Sequence, residues 1–132
     1  MDIHFKTDDR HLAASIFLNL AQRVWPRSYN TELAQQALGR TLNITAWDAD
    51  CLVGCVRILT DGYFFGTIPE ILVDPAYQGK GIGRQLMELA WENSPTSLFF
   101  GAQPGNEVFF EKLGYERSMI SYVKRKPRRK AT

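Results

Sequence analysis

Ile71-Leu-Val-Asp-Pro-Ala-Tyr-Gln-Gly-Lys-Gly-Ile-Gly-Arg-Gln-Leu-Met87 is the stretch on which the reading of this chain turns. An apolar run stops at Asp74-Pro75, glycines follow at 79, 81 and 83, and a helical pattern begins at once. Strand, glycine loop and helix start make an anion site out of backbone. The first N–H groups of a helix have no partner within it, and glycine lets a ligand approach them closely. The positive end of the helix dipole adds to the attraction for phosphate.

Working outward, residues 2–6 alternate and predict a first strand. Leu12, Ile16, Phe17, Leu20 and Val24 have helical spacing, with Asp8 or Asp9 available as a cap and Pro26 as the break. A short second helix is expected over Thr31–Leu38, closed by Gly39. Residues 42–47 and 52–59 read as a hairpin around Asp48-Ala-Asp50, and 63–74 as a third long strand after Asp61-Gly62. Pro69 falls inside that strand and predicts a bulge or an open edge, because it cannot donate a ladder hydrogen bond. A helix is expected over 81–93, a buried strand over 96–102, a helix over 105–113 and a last strand over 115–124. Strands and helices in this order give a mixed α/β or α+β sheet covered by helices.

Length and composition narrow the setting. The 132 residues suit one domain, and 45% hydrophobic with 23% charged residues is ordinary for a globular chain. No apolar run approaches the ~20 residues needed to cross a bilayer, and the start lacks a basic-then-apolar signal pattern. Cys51 and Cys55 are too far apart along a strand to bridge comfortably, which suits a reducing compartment. A cytoplasmic location is therefore expected. The formal charge of +2 combines sixteen basic with fourteen acidic residues; six of the basic ones crowd into 124–130, leaving the rest at about −4. Residues 1–123 are read as a single domain and 124–132 as a basic C-terminal tail, expected to be a solvated extension.

Three phosphate-binding patterns compete for the loop. A P-loop needs Gly-x-x-x-x-Gly-Lys-Ser/Thr, which is absent, and Gly79-Lys-Gly-Ile-Gly83 has the wrong spacing for a dinucleotide fingerprint. Gln78-Gly-Lys-Gly-Ile-Gly83 instead resembles the Gln/Arg-x-x-Gly-x-Gly/Ala signature of the GNAT superfamily of acetyl-CoA-dependent N-acetyltransferases. Val73-Asp-Pro-Ala-Tyr-Gln78 is similar to that family's strand-to-loop junction, and Phe109-Phe-Glu-Lys-Leu-Gly-Tyr115 to its late helix. The resemblance extends over nearly the whole chain and implies a mostly antiparallel sheet with a central splay, flanked by about four helices.

It also implies roles. Backbone groups of Leu72 and Val73 would pair with the pantetheine arm of acetyl-CoA as an added strand does. Backbone amides of Gln78, Gly79, Lys80, Gly81, Ile82, Gly83 and Arg84 would hold its pyrophosphate, with the Lys80 and Arg84 side chains either adding charge or staying solvated. Val73 N–H would stabilise the oxyanion. Glu70 resembles the family's acidic strand residue, a proton acceptor for the amine, unless strand parity turns it outward. The chain departs from the pattern at Phe110, where relatives often carry the tyrosine that protonates the departing thiolate. Tyr115 or Tyr122 is then the substitute acid, unless water serves. Gln103 stands where an asparagine is common, with Asn106 a turn later, and both join Phe110 on the cofactor side.

Trp25 and Tyr29, in the loop between the first two helices, either stack on the acceptor or pack as a hinge. The expected activity is acetyl transfer from acetyl-CoA to a primary amine of a small molecule or peptide by direct attack. The alternative is a CoA-binding module with little catalysis, suggested by Phe110. The acidic body favours a cationic amine over nucleic acid. No membrane partner is expected, a homodimer is compatible with the family's habits, and no His/Cys/Asp cluster has metal-ligand spacing.

Overall fold

The computed structural model describes residues 2–129. Four antiparallel strands lie in the order β1 (Ile3–Lys6), β2 (Leu42–Asp48), β3 (Cys51–Thr60), β4 (Gly66–Val73). Helices α1 (Ala14–Val24) and α2 (Thr31–Leu38) cover one face, and α3 (Ile82–Asn93) the other. A short helix α4 (Glu107–Lys112) follows a loop from 101 to 106. Among the described residues no helix is long and apolar enough to cross a membrane.

Strand alternation divides the core in two. Ile44, Val53, Val56, Ile58 and Ile68 pack against Ile82, Leu86 and Met87 of α3. Leu52, Cys55 and Leu72 pack against Phe17, Leu20 and Leu38 of α1 and α2. Gly54 is needed where α3 comes closest to the sheet: a Cβ there would stand 3.0 Å from Leu86 and 3.1 Å from Ile82.

The α1-side face of β2 is polar yet buried, which alternation alone would assign to solvent. Each polar atom there finds a partner, as burial requires. Thr45 Oγ1 donates to Asp9 Oδ2 at 2.9 Å and accepts from Trp47 Nε1 at 2.8 Å. Asn43 Nδ2 donates to Leu38 O at 2.9 Å.

Asp9 is therefore taken by the sheet and does not cap α1, which begins at Ala14 without any side-chain cap of its own. The cap comes from α2: Gln35 Oε1 accepts the Ala14 N–H at 2.8 Å, and Gln35 Nε2 donates to Leu12 O at 3.2 Å. Asn30 caps α2 by accepting the Leu33 N–H at 2.9 Å.

Residues 63–65, expected in the third strand, form a turn instead. Asp61 Oδ1 accepts the N–H groups of Tyr63, Phe64 and Phe65 at 2.9, 2.8 and 3.2 Å. The β3–β4 register slips between Arg57 and Leu59, so Ile68 and Pro69 together oppose Ile58: the bulge that Pro69 predicted.

The strand expected over 96–102 shrinks to a parallel bridge between Thr67 and Phe99. Ile68 N–H donates to Phe99 O at 3.1 Å, and Phe99 N–H to Gly66 O at 3.0 Å. The strand expected over 115–124 does not form. Met119, Ile120, Tyr122 and Val123 stay exposed, so no burial offsets the ordering cost. Nor is the basic tail wholly solvated: Arg128 Nη2 donates to Ser28 O at 3.1 Å, with the guanidinium 5.9 Å from the Tyr29 ring centre. Residues 130–132 of that tail lie outside the described residues.

Thr45→Val keeps the volume but removes both bonds of the buried hydroxyl. Urea unfolding should show a loss of about 1–3 kcal/mol; an unchanged midpoint would mean that the Asp9–Thr45–Trp47 chain contributes nothing net.

Candidate active site

The site begins where β4 loses a neighbour. Up to Ile68 it is bonded on both edges, but Pro69 has no N–H, and from there to Val73 it pairs, among the described residues, with β3 alone. The expected splay is this divergence of β4 from the Phe99 segment. Leu72 lies in the freed portion with its side chain buried, and Val73 lies at its end.

Past Val73 the chain is fastened before it reaches the glycines. Asp74 N–H donates to Val53 O at 2.8 Å. Asp74 Oδ1 accepts the Ala76 N–H at 2.9 Å, and Oδ2 accepts from Arg23 Nε of α1 at 2.8 Å. Arg23 Nη2 also reaches Leu52 O at 3.1 Å, so α1, β3 and the loop meet at one guanidinium. Tyr77 adds a further tie, donating to Asp48 Oδ2 at 2.5 Å. That bond to a carboxylate pushes the phenol's pKa up to about 12. Gln78 Nε2 folds back on Val73 O at 3.3 Å and braces the loop from within.

Gly79 and Gly81 have φ of +79° and +83°, a region that side chains disfavour. A Cβ on either would meet nothing within 4 Å, so the glycines serve the backbone's path and keep its outer side clear. Gly81 is the N-cap of α3 and makes no side-chain hydrogen bond, so among the described residues no side chain caps the first N–H groups of the helix. Ile82 anchors this turn in the core, whereas Lys80 and Arg84 are exposed and form no ion pair among the described residues. The arrangement suits a pyrophosphate.

The facing of Glu70 is settled by register. Glu70 stands opposite Arg57, on the same face as Cys55 and Leu72, beneath α1. Arg57 Nη2 donates to Glu70 Oε1 at 2.8 Å, with the two side chains 15% and 18% exposed. Burial, followed by the nearby Glu70 charge, pushes the Cys55 thiol far up, so it stays neutral.

Phe110 sits on the other face. Its ring centre is 4.8 Å from Phe100 and 6.2 Å from Tyr115, and all three pack against the α3-side core. Burial, then the Glu88 carboxylate, raises the Tyr115 phenol's pKa above its ordinary value. Glu70 and Tyr115 thus lie on opposite sides of the sheet, and Tyr122 is 90% exposed. Gln103 and Asn106 lie in the exposed loop before α4, joined by an Asn106 N–H to Gln103 O bond of 2.9 Å. Phe109 reaches back over α3: a Cβ on Gly83 would stand 3.7 Å from Phe109 Cζ and 3.7 Å from Val73 Cγ2.

Trp25 is 42% exposed at the end of α1, and Tyr29 Oη donates to its carbonyl at 2.9 Å. The Tyr29 ring has the guanidinia of Arg27 and Arg128 at 5.5 and 5.9 Å, so cation–π contacts within the chain already occupy it.

With this geometry in view, the sequence model of the acetyltransferase (GNAT) domain matches residues 40–117. The chain belongs to the GNAT acetyltransferase family. A GNAT family acetyltransferase of Streptococcus pneumoniae superposes with a TM-score of 0.78 at 26% identity, over 95% of this chain and all of that one. The ribosomal-protein-S18-alanine N-acetyltransferase of Escherichia coli shares the fold, with a TM-score of 0.70 at 19% identity over 89% of this chain and 80% of its own. Among curated proteins, the chloroplastic GCN5-related N-acetyltransferase 2 of Arabidopsis thaliana is 38% identical over 71 residues. That match covers 49% of this GNAT chain and 27% of the relative's length. Histone acetyltransferase TAP1 of Glycine max is 37% identical over 71 residues, covering 49% of this chain and 30% of its own. The match thus spans less than a third of the length of these two curated relatives.

Arg23 and Arg57 escaped the sequence reading. Arg23 sits at a helical position that looks like ordinary solvent-facing charge, and Arg57 gains meaning only from the bulged register that sets it against Glu70.

Gly83→Trp would fill the space between Val73 and Phe109. We expect a folded protein, by thermal melt, whose acetyl-CoA affinity in titration calorimetry falls at least ~10-fold, or ~1.4 kcal/mol. Retained affinity would remove this cleft as the binding site.

Proposed function

We propose that this GNAT protein is an N-acetyltransferase that moves the acetyl group of acetyl-CoA to a primary amine by direct attack. One observation carries the reading: the α3 N-terminus, capped by no side chain, adjoins the free edge of β4 at Val73, and that strand carries Glu70. Backbone amides from Gln78 to Arg84 hold the pyrophosphate, and the open edge of β4 by Leu72 and Val73, opposite its pairing with β3, takes the pantetheine amides as a strand would.

The chemistry follows the two faces of the sheet. The acceptor arrives on the α1 side as an ammonium and passes a proton to Glu70. Its nitrogen lone pair forms the new C–N bond to the acetyl carbon, and the nitrogen gives up its second proton to solvent as the amide forms. The C–S bond breaks, and the thiolate leaves with the electron pair toward the α3 side. Phe110 has no proton to give there, and Tyr115 is the phenol beside it. Its raised pKa keeps it protonated throughout the neutral range. A thiol near ~8.5 is a fair leaving group without help, so the acid is useful but not essential.

Two variants test these assignments. Glu70→Gln should lower kcat on the order of 10²-fold, with the deficit growing as pH falls and free amine becomes scarce; parallel pH–rate profiles would remove Glu70 from proton transfer. Tyr115→Phe should cost ~10-fold or less, by the same factor from pH 6 to 9, because a phenol whose pKa is raised loses its proton only above that window. An effect that vanishes as pH rises through the window would overturn the acid assignment. Free-CoA release against a panel of amines, run beside acetyl-CoA titration, tests the activity itself; binding without turnover on any amine would favour a CoA-binding module.

A further inference from the structure

Arg57 is under-used by what surrounds it. A guanidinium carries five N–H donors in a planar fork, and Glu70 takes one of them at 2.8 Å. The Phe17 ring centre lies 6.0 Å away across the α1 face. Arg57 Nε is buried and has no hydrogen-bond partner. Such a donor is costly in an apolar setting, and its natural complement is a carboxylate that lies across the fork. The side chain is not sealed off, keeping 15% exposure beside the 18% of Glu70.

We propose that Arg57 is a specificity-determining residue that binds a carboxylate of the acceptor, so that the preferred amines are amino acids or closely related zwitterions. The inference rests on the acetyl-transfer reading and narrows it. Glu70 and Arg57 present opposite charges from directly opposed positions of the β3–β4 ladder. A zwitterion presents the complementary pair a few bonds apart: its ammonium meets Glu70, and its carboxylate meets the donors that Glu70 leaves. A phosphate fits less well, because its second negative charge would stand beside Glu70. The pair also matches a requirement of the reaction, since the amine to be deprotonated is then anchored through an atom that does not react.

The test compares amino acids with the corresponding amino-acid amides as acceptors for the full chain. The amide's amine is less basic and so freer at neutral pH, which biases the comparison against the proposal. Wild type should favour the acid on the order of tenfold or more in kcat/KM, expressed mainly in KM. Arg57→Lys keeps the charge but loses the fork, and should shrink the acid-to-amide ratio to within about threefold. Arg57→Gln should do the same, with thermal melts confirming that each variant folds; Arg57→Lys suffices if Arg57→Gln does not fold. A merely structural Arg57 would depress both acceptors equally and leave the ratio unchanged, which overturns the proposal. A wild-type preference for the amide, or turnover confined to amines without an anion, overturns it while leaving acetyl transfer intact. Failure to bind acetyl-CoA brings down the parent reading and this one with it.

Discussion

Proline at position 69 is the constraint on which the site depends. A strand flanked on both edges has no backbone groups to spare, so an extended ligand cannot add to it. Pro69 supplies no N–H, and the bulge it shares with Ile68 turns β4 away from the Phe99 segment one residue past their last hydrogen bond. What remains, from Glu70 to Val73, is a strand held firmly by β3 alone and leading straight into a glycine loop. The open edge and the helix terminus are thus consecutive products of one short stretch of chain. Their separation is fixed by covalent geometry rather than by the packing of distant parts.

The polar ties around this stretch divide by what they are worth. Arg23–Asp74 has an arginine 40% exposed, so its ionic part contributes ~1 kcal/mol or less, and its importance is geometric. It lashes the start of the loop to α1, while Tyr77–Asp48 lashes the next turn to the β2–β3 hairpin. Arg57–Glu70 is the more buried pair. Taking both charges out of water offsets much of their attraction, so a hydrophobic pair would have held the sheet about as well. An ion pair kept at such a position is better explained by chemistry than by stability.

Much of this was readable from residue order because the strongest signals are local. Thr31–Leu38 appears with the expected bounds, and α3 starts one residue inside them, since Asn30, Gly39 and the three glycines act on their own neighbours. Errors arose where a distant partner decided the outcome. Asp9 resembles a cap until Thr45 claims it, and the actual cap of α1 comes from Gln35 on another helix. Tyr63, Phe64 and Phe65 have strand-like composition, but one carboxylate gathers three of their N–H groups. Residues 115–124 carry Tyr115, Met119, Ile120, Tyr122 and Val123, which suggested a strand, yet these residues form no ladder and four of the five stay exposed. At the site, the glycine cradle was legible, but the facing of Glu70 was not. A single-residue slip reverses every side chain, and the place of the slip depends on pairing across thirteen residues.

The two cysteines show how unevenly this sheet is guarded. Cys51 is exposed at the hairpin turn, and Cys55, further along the same strand, is fully enclosed beneath α1. Thiol reagents should therefore modify the protein in two phases. The first measures simple access; the second waits until α1 and α2 lift from the sheet. Because Arg57 and Glu70 share that face with Cys55, the slow phase is a clock for how often the interior beside the ion pair opens to solvent.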